Sequence, residues 1–325
     1  MDIYNMTHAS DLDGISSAAM LVGTYKVPLS NIYFADYTEE RFQYNLLRIR
    51  RDAPKDSVFI ISDLSIGNSQ SRQFFALLRY LKGRNNKIVW IDHHVWDGKV
   101  INAAAKFCDL MVVGENARNC AAELVYRILC DSSRRYSDLA SIAHISDFKL
   151  FELVGGAKVR KMAMGISGIV GGKAIKKTDS MLRKVVSAFS RCDYFPEVLA
   201  ASYRQYLKEA KLGLGRLSKN IFCIEYKDMR VGVGFSTGLN SNEACDYIFE
   251  KEKCNLAIFV NTSKYTAHLR RSEGIDCARL ARHFGGGGHP YAAGFEMSKK
   301  AFGEFTEAKM TAFVEIVRNA LAEIY

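Results

Sequence analysis

Hydrophobic and polar positions alternate between two spacings along the first 150 residues. Short β-rich runs at 3–7, 32–34, 58–61, 88–91 and 110–113 predict strands, and helical spacing over 15–24, 39–50, 69–81 and 120–130 predicts helices between them. Such alternation gives an α/β fold with a doubly wound, mostly parallel sheet. A helical stretch follows over 137–145, 178–190 and 196–217, the last with Pro196 at its start, where proline is tolerated. Glycines at 155–156 and over 165–172 read as its punctuation. From residue 221 strands return at 221–226, 230–235, 256–260 and 265–269, with helices near 243–250 and 276–283 and a final one at 301–324. The expected organisation is an α/β domain with a helical extension over 1–195, a linker helix over 196–220, and a smaller α/β domain over 221–325.

Composition narrows the class. Of 325 residues, 48% are apolar, 25% are charged and four are proline, which excludes a disordered or collagen-like chain. The sequence has no run of about 18 apolar residues and starts without a basic-then-apolar leader, so a cytoplasmic protein without a membrane span is expected. Eight scattered cysteines, none in a C-x-x-C pair, read as small core residues in a reducing compartment. The net charge of +10 points to a polyanionic partner. Between residues 158 and 191 stand nine basic residues, Lys173 and Arg183 among them, and one acid, Asp179. This stretch is either a solvated face or a track for phosphates, and Phe189, Tyr194 and Phe195 beside it are either core or base-stacking residues.

In an open parallel sheet the functional crevice lies beyond the carboxyl ends of the strands. The polar residues collect there. The first strand leads into His8, Asp11 and Asp13, the third into Asp63 and the fourth into Asp92-His93-His94, while Asp147 follows the helix predicted over 137–145. Asp11-x-Asp13-Gly14 taken alone also fits an Asx turn or a helix cap. Adjacent His93 and His94 are expected to point to opposite sides of the chain, one toward a metal and one toward a substrate. Four converging carboxylates repel one another unless divalent cations intervene. Mixed carboxylate and imidazole donors without a thiolate point to Mn2+, with Mg2+, Co2+ or Zn2+ as alternatives.

Further along, residues 285–288 are four consecutive glycines before His289, followed by Pro290, Tyr291, Ala292, Ala293 and Gly294. They form either a turn or a loop that lets a phosphate approach main-chain N–H groups. With Asp92-His93-His94 and this glycine motif the sequence resembles the DHH phosphoesterase superfamily with its C-terminal DHH-associated domain. That superfamily includes RecJ-like exonucleases, nano-RNases, cyclic-dinucleotide phosphodiesterases and manganese pyrophosphatases. In having two domains and little else the chain is similar to the compact archaeal RecJ-like nucleases and the nano-RNases.

The resemblance implies that His8, Asp11 and Asp63 bind one metal and that Asp13, Asp63, His93 and Asp147 bind a second, with Asp63 as the bridge. His8 departs from many relatives, standing three residues before Asp11 where they place four. His94 is expected to face the scissile phosphate and Asp92 to orient its neighbours. Substrate contacts are expected from Gly286, Gly287, Gly288 and His289, and from Arg270, with Arg271 the exposed member of that pair. Arg118 and Asn119 meet substrate at a helix N-terminus, or Asn119 is an ordinary cap. The expected function is a two-metal exonuclease, with substrate held in a cleft between the domains, that releases 5′-mononucleotides from single-stranded DNA, RNA or short oligonucleotides, with a helicase or repair partner. The alternatives are a phosphodiesterase or phosphatase of linear or cyclic dinucleotides or of 3′-phosphoadenosine 5′-phosphate, and an inactive scaffold, against which the intact acids speak.

Overall fold

A computed structural model describes residues 1–66, 71–113, 118–130, 134–171, 174–272 and 275–325. Gly172 and Lys173, and positions 69–70 of the helix expected at 69–81, lie outside the described residues. The chain divides into two compact units, Met1–Arg204 and Gln205–Tyr325. Among the described residues no helix is long and apolar enough to cross a membrane.

In the first unit β1 (Ile3–His8), β2 (Ile32–Ala35), β3 (Val58–Ser62), β4 (Lys87–Ile91) and β5 (Leu110–Val112) form a wholly parallel sheet in the order β2-β1-β3-β4-β5. Helices α1 (Leu12–Tyr25), α2 (Glu39–Asp52), α3 (Ser71–Lys82), α4 (Gly98–Ala105), α5 (Ala121–Ile128) and α6 (Ser137–Asp147) connect and cover it, followed by α7 (Gly156–Val170), α8 (Ile175–Phe189) and α9 (Glu197–Leu217), the last of which contains the boundary between the units. Alternation along the strands builds two apolar layers. Ile60 and Ile91 join one with Leu12, Ile15 and Val185, while Phe59, Ile61 and Trp90 join the other with Phe42, Phe74 and Leu78. The strand order reverses between β1 and β3, which puts a crevice beyond their carboxyl ends.

Polar side chains inside the sheet fix that end. Fully buried Asn5 donates to Ile60 O and to Ser62 Oγ, Ser62 donates to Thr7 Oγ1, and Thr7 donates to Gly14 O. Each bond removes the cost of a buried unpaired group and ties the loop after β1 to the end of β3.

The second unit is a mixed sheet of β6 (Ile221–Tyr226), β7 (Met229–Ser236), β8 (Leu256–Asn261), β9 (Thr266–Arg271), β10 (Gly287–His289) and β11 (Ala292–Glu296), in the order β10-β11-β9-β8-β7-β6. Only the β7–β8 pair among these is parallel. Helices α10 (Ser241–Glu252), α11 (Cys277–His283), α12 (Lys299–Phe302) and α13 (Glu307–Ile324) accompany it. Val233, Phe235, Ile258, Leu269, Leu280, Phe313 and Val317 belong to its core.

Several expectations need correction. Gly165 and Gly168 do not interrupt a helix but lie inside α7, where a Cβ at Gly165 would stand 2.7 Å from Leu199 Cδ1, whereas Gly155 and Gly171 mark its two ends as expected. The helix expected over 301–324 is broken where Gly303 adopts φ 52° and Thr306 caps α13. Of the described basic residues in the 158–191 stretch, seven are exposed and Arg183 alone is drawn inward. Arg183 donates to Leu29 O and Ile32 O, and Asp179 is fully buried against Arg41, Arg48 and Arg183. With Arg41 and Asn45 on Phe34 O, these side chains saturate outward carbonyls of the edge strand β2. Phe189 is fully buried and Tyr194 and Phe195 pack on the same core, so none is a free stacking surface.

Candidate metal centre

Three chain segments leaving the parallel sheet and the end of helix α6 carry the candidate ligands. Asp11 is the N-cap of α1, accepting Gly14 N–H at 3.1 Å, so the capping role is real, but its other oxygen lies 2.5 Å from His8 Nδ1. Asp13, in the first turn of α1, is buried and accepts N–H groups from Ala121 and Ala122 at 2.8 and 2.6 Å, so it rests on the N-terminus of α5. Asp63 follows β3 with φ 54°, a left-handed conformation that Asp tolerates better than most residues. Its N–H donates to Ile91 O, which holds the strained turn in place. Asp147 is the last residue of α6, not a residue beyond it.

These side chains form adjoining groups, and Asp63 also has a donor atom within 4.8 Å of those of Asp92, His93 and His94. In one, His8, Asp11 and Asp63 bring donor atoms within 4.8 Å of one another, and in the other Asp13, His93 and Asp147 do so. Asp63 Oδ2 lies 3.7 Å from His8 Nδ1, while its Oδ1 lies 3.7 Å from His93 Nε2. His93 Nε2 is also 3.6 Å from Asp13 Oδ2, and its Nδ1 is 3.8 Å from Asp147 Oδ2. Separations of this size exceed hydrogen-bond reach, yet suit donors that face a shared cation at ~2.1 Å each. Asp63 Oδ2 and His93 Nε2 are buried without a hydrogen-bond partner. Orphaned atoms of this kind, facing each other's groups, fit a divalent cation.

The electrostatics carry the same message. Burial, reinforced by Asp11 and Asp147, pushes the Asp13 carboxyl up to about 7. Burial with Asp11 and Asp13 raises Asp63 well above the carboxylate range, and burial raises Asp147. Burial opposes charge on His8, but Asp11 and Asp63 outweigh it and raise its pKa, so His8 must give up its proton to a cation before it can serve as a ligand. Burial lowers His93, which keeps it neutral as a ligand must be.

His93 and His94 do not point apart. Their ring centroids are 4.4 Å from each other, because the chain has left β4 at Ile91 and strand alternation no longer applies. Asp92 is fully buried and binds His94 Nδ1 at 2.8 Å and Trp96 Nε1 at 2.6 Å, which occupies both carboxylate oxygens. Trp96 was not singled out from the sequence. An indole N–H close after three polar residues, needing a buried acceptor, was the available signal. Tyr37, whose ring lies 5.6 Å from His8, carried none.

The remaining candidates sit apart from these groups in the chain. Cys120, not Asn119, is the N-cap of α5, its N–H bonded to Glu123 Oε2 at 3.0 Å; Arg118 is exposed and Asn119 half-buried. In the second unit Arg270 donates from Nε to Asn242 Oδ1 at 3.1 Å and from Nη1 to Leu269 O. Arg271 is not the exposed one of the pair, since it is half-buried and donates to Ile275 O. The glycine motif is partly strand, with Gly287–His289 paired to β11. Gly288 has φ 136°, and a Cβ there would stand 2.6 Å from Ala293 Cα, whereas Gly287 faces open space. His289 is exposed and stacks on Tyr291 at 5.3 Å.

The chain matches the DHH family N-terminal domain over residues 2–149 and the DHHA1 domain over residues 236–323. It belongs to the DHH family. No curated protein sequence matches it significantly. Among solved structures it is similar to the DHH domain of a member of a family of ribosomal proteins, at 16% identity and TM-score 0.64 over 97% of this chain and 86% of the other. A pGpG-specific phosphodiesterase from Vibrio cholerae matches at 14% identity and TM-score 0.56, over 98% and 99% of the two chains. An exopolyphosphatase-related protein from Bacteroides fragilis matches at 16% and 0.51, over 98% and 91%. DHH-family proteins are metal-dependent phosphoesterases, so this chain is a hydrolase of that class, with acid and imidazole clusters able to hold metal.

Proposed function

We propose that this protein is a two-metal phosphodiesterase that uses Mn2+ to release 5′-mononucleotides from short single-stranded RNA or DNA, dinucleotides included. The observation that carries the reading is Asp63, whose two oxygens face different ligand groups, the position of a carboxylate shared by two cations. His8 and Asp11 would hold one cation with it, and Asp13, His93 and Asp147 the other. A bound pair of divalent cations supplies a water acidified toward neutrality and positive charge against the phosphoryl oxygens. Asp92 holds His94 by Nδ1 and, against the effect of burial, raises its pKa. His94 therefore presents a positively charged N–H donor to the scissile phosphate. Trp96 keeps Asp92 from turning away. Within the second unit, Arg270 is steadied by Asn242 and the main chain at Gly287 is open, groups whose chemistry suits a phosphate.

Arg183 is spent on main-chain carbonyls and the neighbouring aromatic residues are core, while seven other basic residues of the 158–191 stretch are exposed, so this stretch offers charge to a strand but little stacking surface. The fold likeness to a pGpG-specific phosphodiesterase over nearly the whole of both chains is in keeping with a dinucleotide-sized substrate. Eight cysteines without disulfides suit a reducing, cytoplasmic setting. The test is a Mn2+-dependent time course on end-labelled RNA and DNA strands of about twenty nucleotides beside labelled dinucleotides. Mononucleotide release from the dinucleotides is expected, with long strands shortened more slowly. Turnover of neither substrate class overturns the reading.

A further inference from the structure

We infer that His144 and Glu123 are positioning residues that set the geometry of the Asp13, His93 and Asp147 group. The inference rests on the two-metal reading above. The two acids of that group come from different helices. Asp13 is clamped to the N-terminus of α5 by the N–H groups of Ala121 and Ala122, and Asp147 ends α6. The spacing between these carboxylates therefore depends on how the start of α5 sits against the end of α6.

A hydrogen bond spans those two helix ends. Glu123 Oε2 lies 2.8 Å from His144 Nδ1, and the same oxygen accepts Cys120 N–H at 3.0 Å. Glu123 is in the first turn of α5, two residues past Ala121. His144 stands three residues before Asp147, on the same face of α6. The imidazole packs on Phe148, with ring centroids 4.6 Å apart, and both partners are largely shielded, at 16% and 32% side-chain exposure. A carboxylate–imidazole bond in such a place is charge-assisted and resists exchange with water. Metal sites tolerate ligand displacements of only a few tenths of an ångström, so loosening this strut moves Asp147 relative to Asp13. The His8, Asp11 and Asp63 group hangs on β1, β3 and α1 and does not use the strut.

The test is calorimetric titration of the full chain, stripped with EDTA, with MnCl2 and nothing else, supported by the electron paramagnetic resonance signal of coupled Mn2+ pairs. The wild type is expected to bind two ions. In His144→Ala and Glu123→Ala one of the two is expected to weaken by about 10–100-fold, the usual effect of losing an outer partner of a ligand set, with the other unchanged and the coupled signal lost. His144→Asn, whose amide N–H takes the place of Nδ1, should restore the pair to within about threefold of wild type, a rescue that a general packing role would not give. Should His144→Ala fail to fold, Glu123→Gln, which replaces the charged oxygen shared by both donors with a neutral one, should show the same one-sided weakening at smaller size. Equal weakening of both ions, or none, overturns the inference while leaving two-ion binding intact. A wild-type chain that binds no Mn2+ overturns the two-metal reading and the inference with it.

Discussion

Asp13→Asn removes a carboxylate that is buried on all sides and whose pKa is pushed up to about 7 by burial and by Asp11 and Asp147. In the unfolded chain the same group titrates near 4. A carboxyl raised above its unfolded value favours the folded state only while protonated. Its penalty in the metal-free protein is therefore absent below about pH 4, grows between about 4 and 7, and is complete above 7. About three pH units at about 1.4 kcal/mol each put that penalty near 4 kcal/mol. Asn escapes it and also relieves Asp63, on which Asp13 presses. The exchange has its own cost. Asp13 accepts from both Ala121 and Ala122, while an amide has one oxygen, and a buried N–H left without an acceptor costs about 1–3 kcal/mol. The metal-free variant should thus be more stable than wild type by about 1–3 kcal/mol at pH 8 and less stable by a similar amount at pH 4, with a crossing near pH 5–6. Scanning calorimetry of EDTA-treated protein reads this as a shift of roughly 2–10 °C that changes sign with pH. A shift of one sign at both pH values would refute the argument, because it would mean that the Asp13 charge is not penalised by the fold. Adding Mn2+ at pH 8 should reverse the order, since cations favour the ionised carboxylate that only the wild type has.

Other variants separate the site from its supports. Asp63→Ala should lower kcat/KM by at least about 10³-fold, the scale of losing a ligand common to both cations, while far-UV circular dichroism is unchanged; near-normal turnover would remove the ligand assignment. Arg270→Ala should raise KM for a dinucleotide by about 10–100-fold, the value of a charge-assisted phosphate contact, with kcat changed far less, and steady-state kinetics will show whether the loss falls on kcat instead. Arg183→Ala should lower stability by about 1–3 kcal/mol in urea titrations and leave KM unaltered, because its guanidinium serves Leu29 O, Ile32 O and Asp179. A higher KM with unchanged stability would return Arg183 to the substrate surface.

The parallel sheet was legible because β-branched runs and helical spacing alternate cleanly before residue 113, and Ile221–Tyr226 stands in the structure with the limits its apolar run predicts. What escaped depends on contacts that no local pattern encodes. Gly165 and Gly168 look like a break, yet both stand inside α7, and at Gly165 Leu199 leaves no room for a side chain. Arg183 and Asp179 look like part of a solvated basic face until Arg41 and Arg48, more than 130 positions away, come alongside. The acids at 11, 13, 63 and 147 could be nominated from strand-end logic, but their partition into two groups with Asp63 between them is a matter of turn geometry. His144 and Glu123 were invisible for the same reason, since an i to i+21 hydrogen bond leaves no trace in spacing.

The supports of the acids also explain where the centre's energy is stored. Asp11 has Gly14 N–H and His8, Asp13 has the amides of α5, and Asp92 has Trp96 and His94. Each of these bonds lowers the cost of keeping a carboxylate out of water. Asp63 Oδ2 and His93 Nε2, at the middle, are left bare. The fold thus supports the rim of the cluster only in part, since Asp13 and Asp147 are raised as well, and leaves Asp63, which faces both groups, with a bare oxygen in a strained turn that Asn5, Ser62 and Thr7 hold from behind. Occupation by cations relieves repulsion, desolvation and the orphaned atoms in a single event, so it should be strongly coupled to the stability of the first unit. That coupling is a physical reason for a cluster of this kind to persist: without cations it is a liability to the fold, and with them it is the charge that phosphodiester hydrolysis requires.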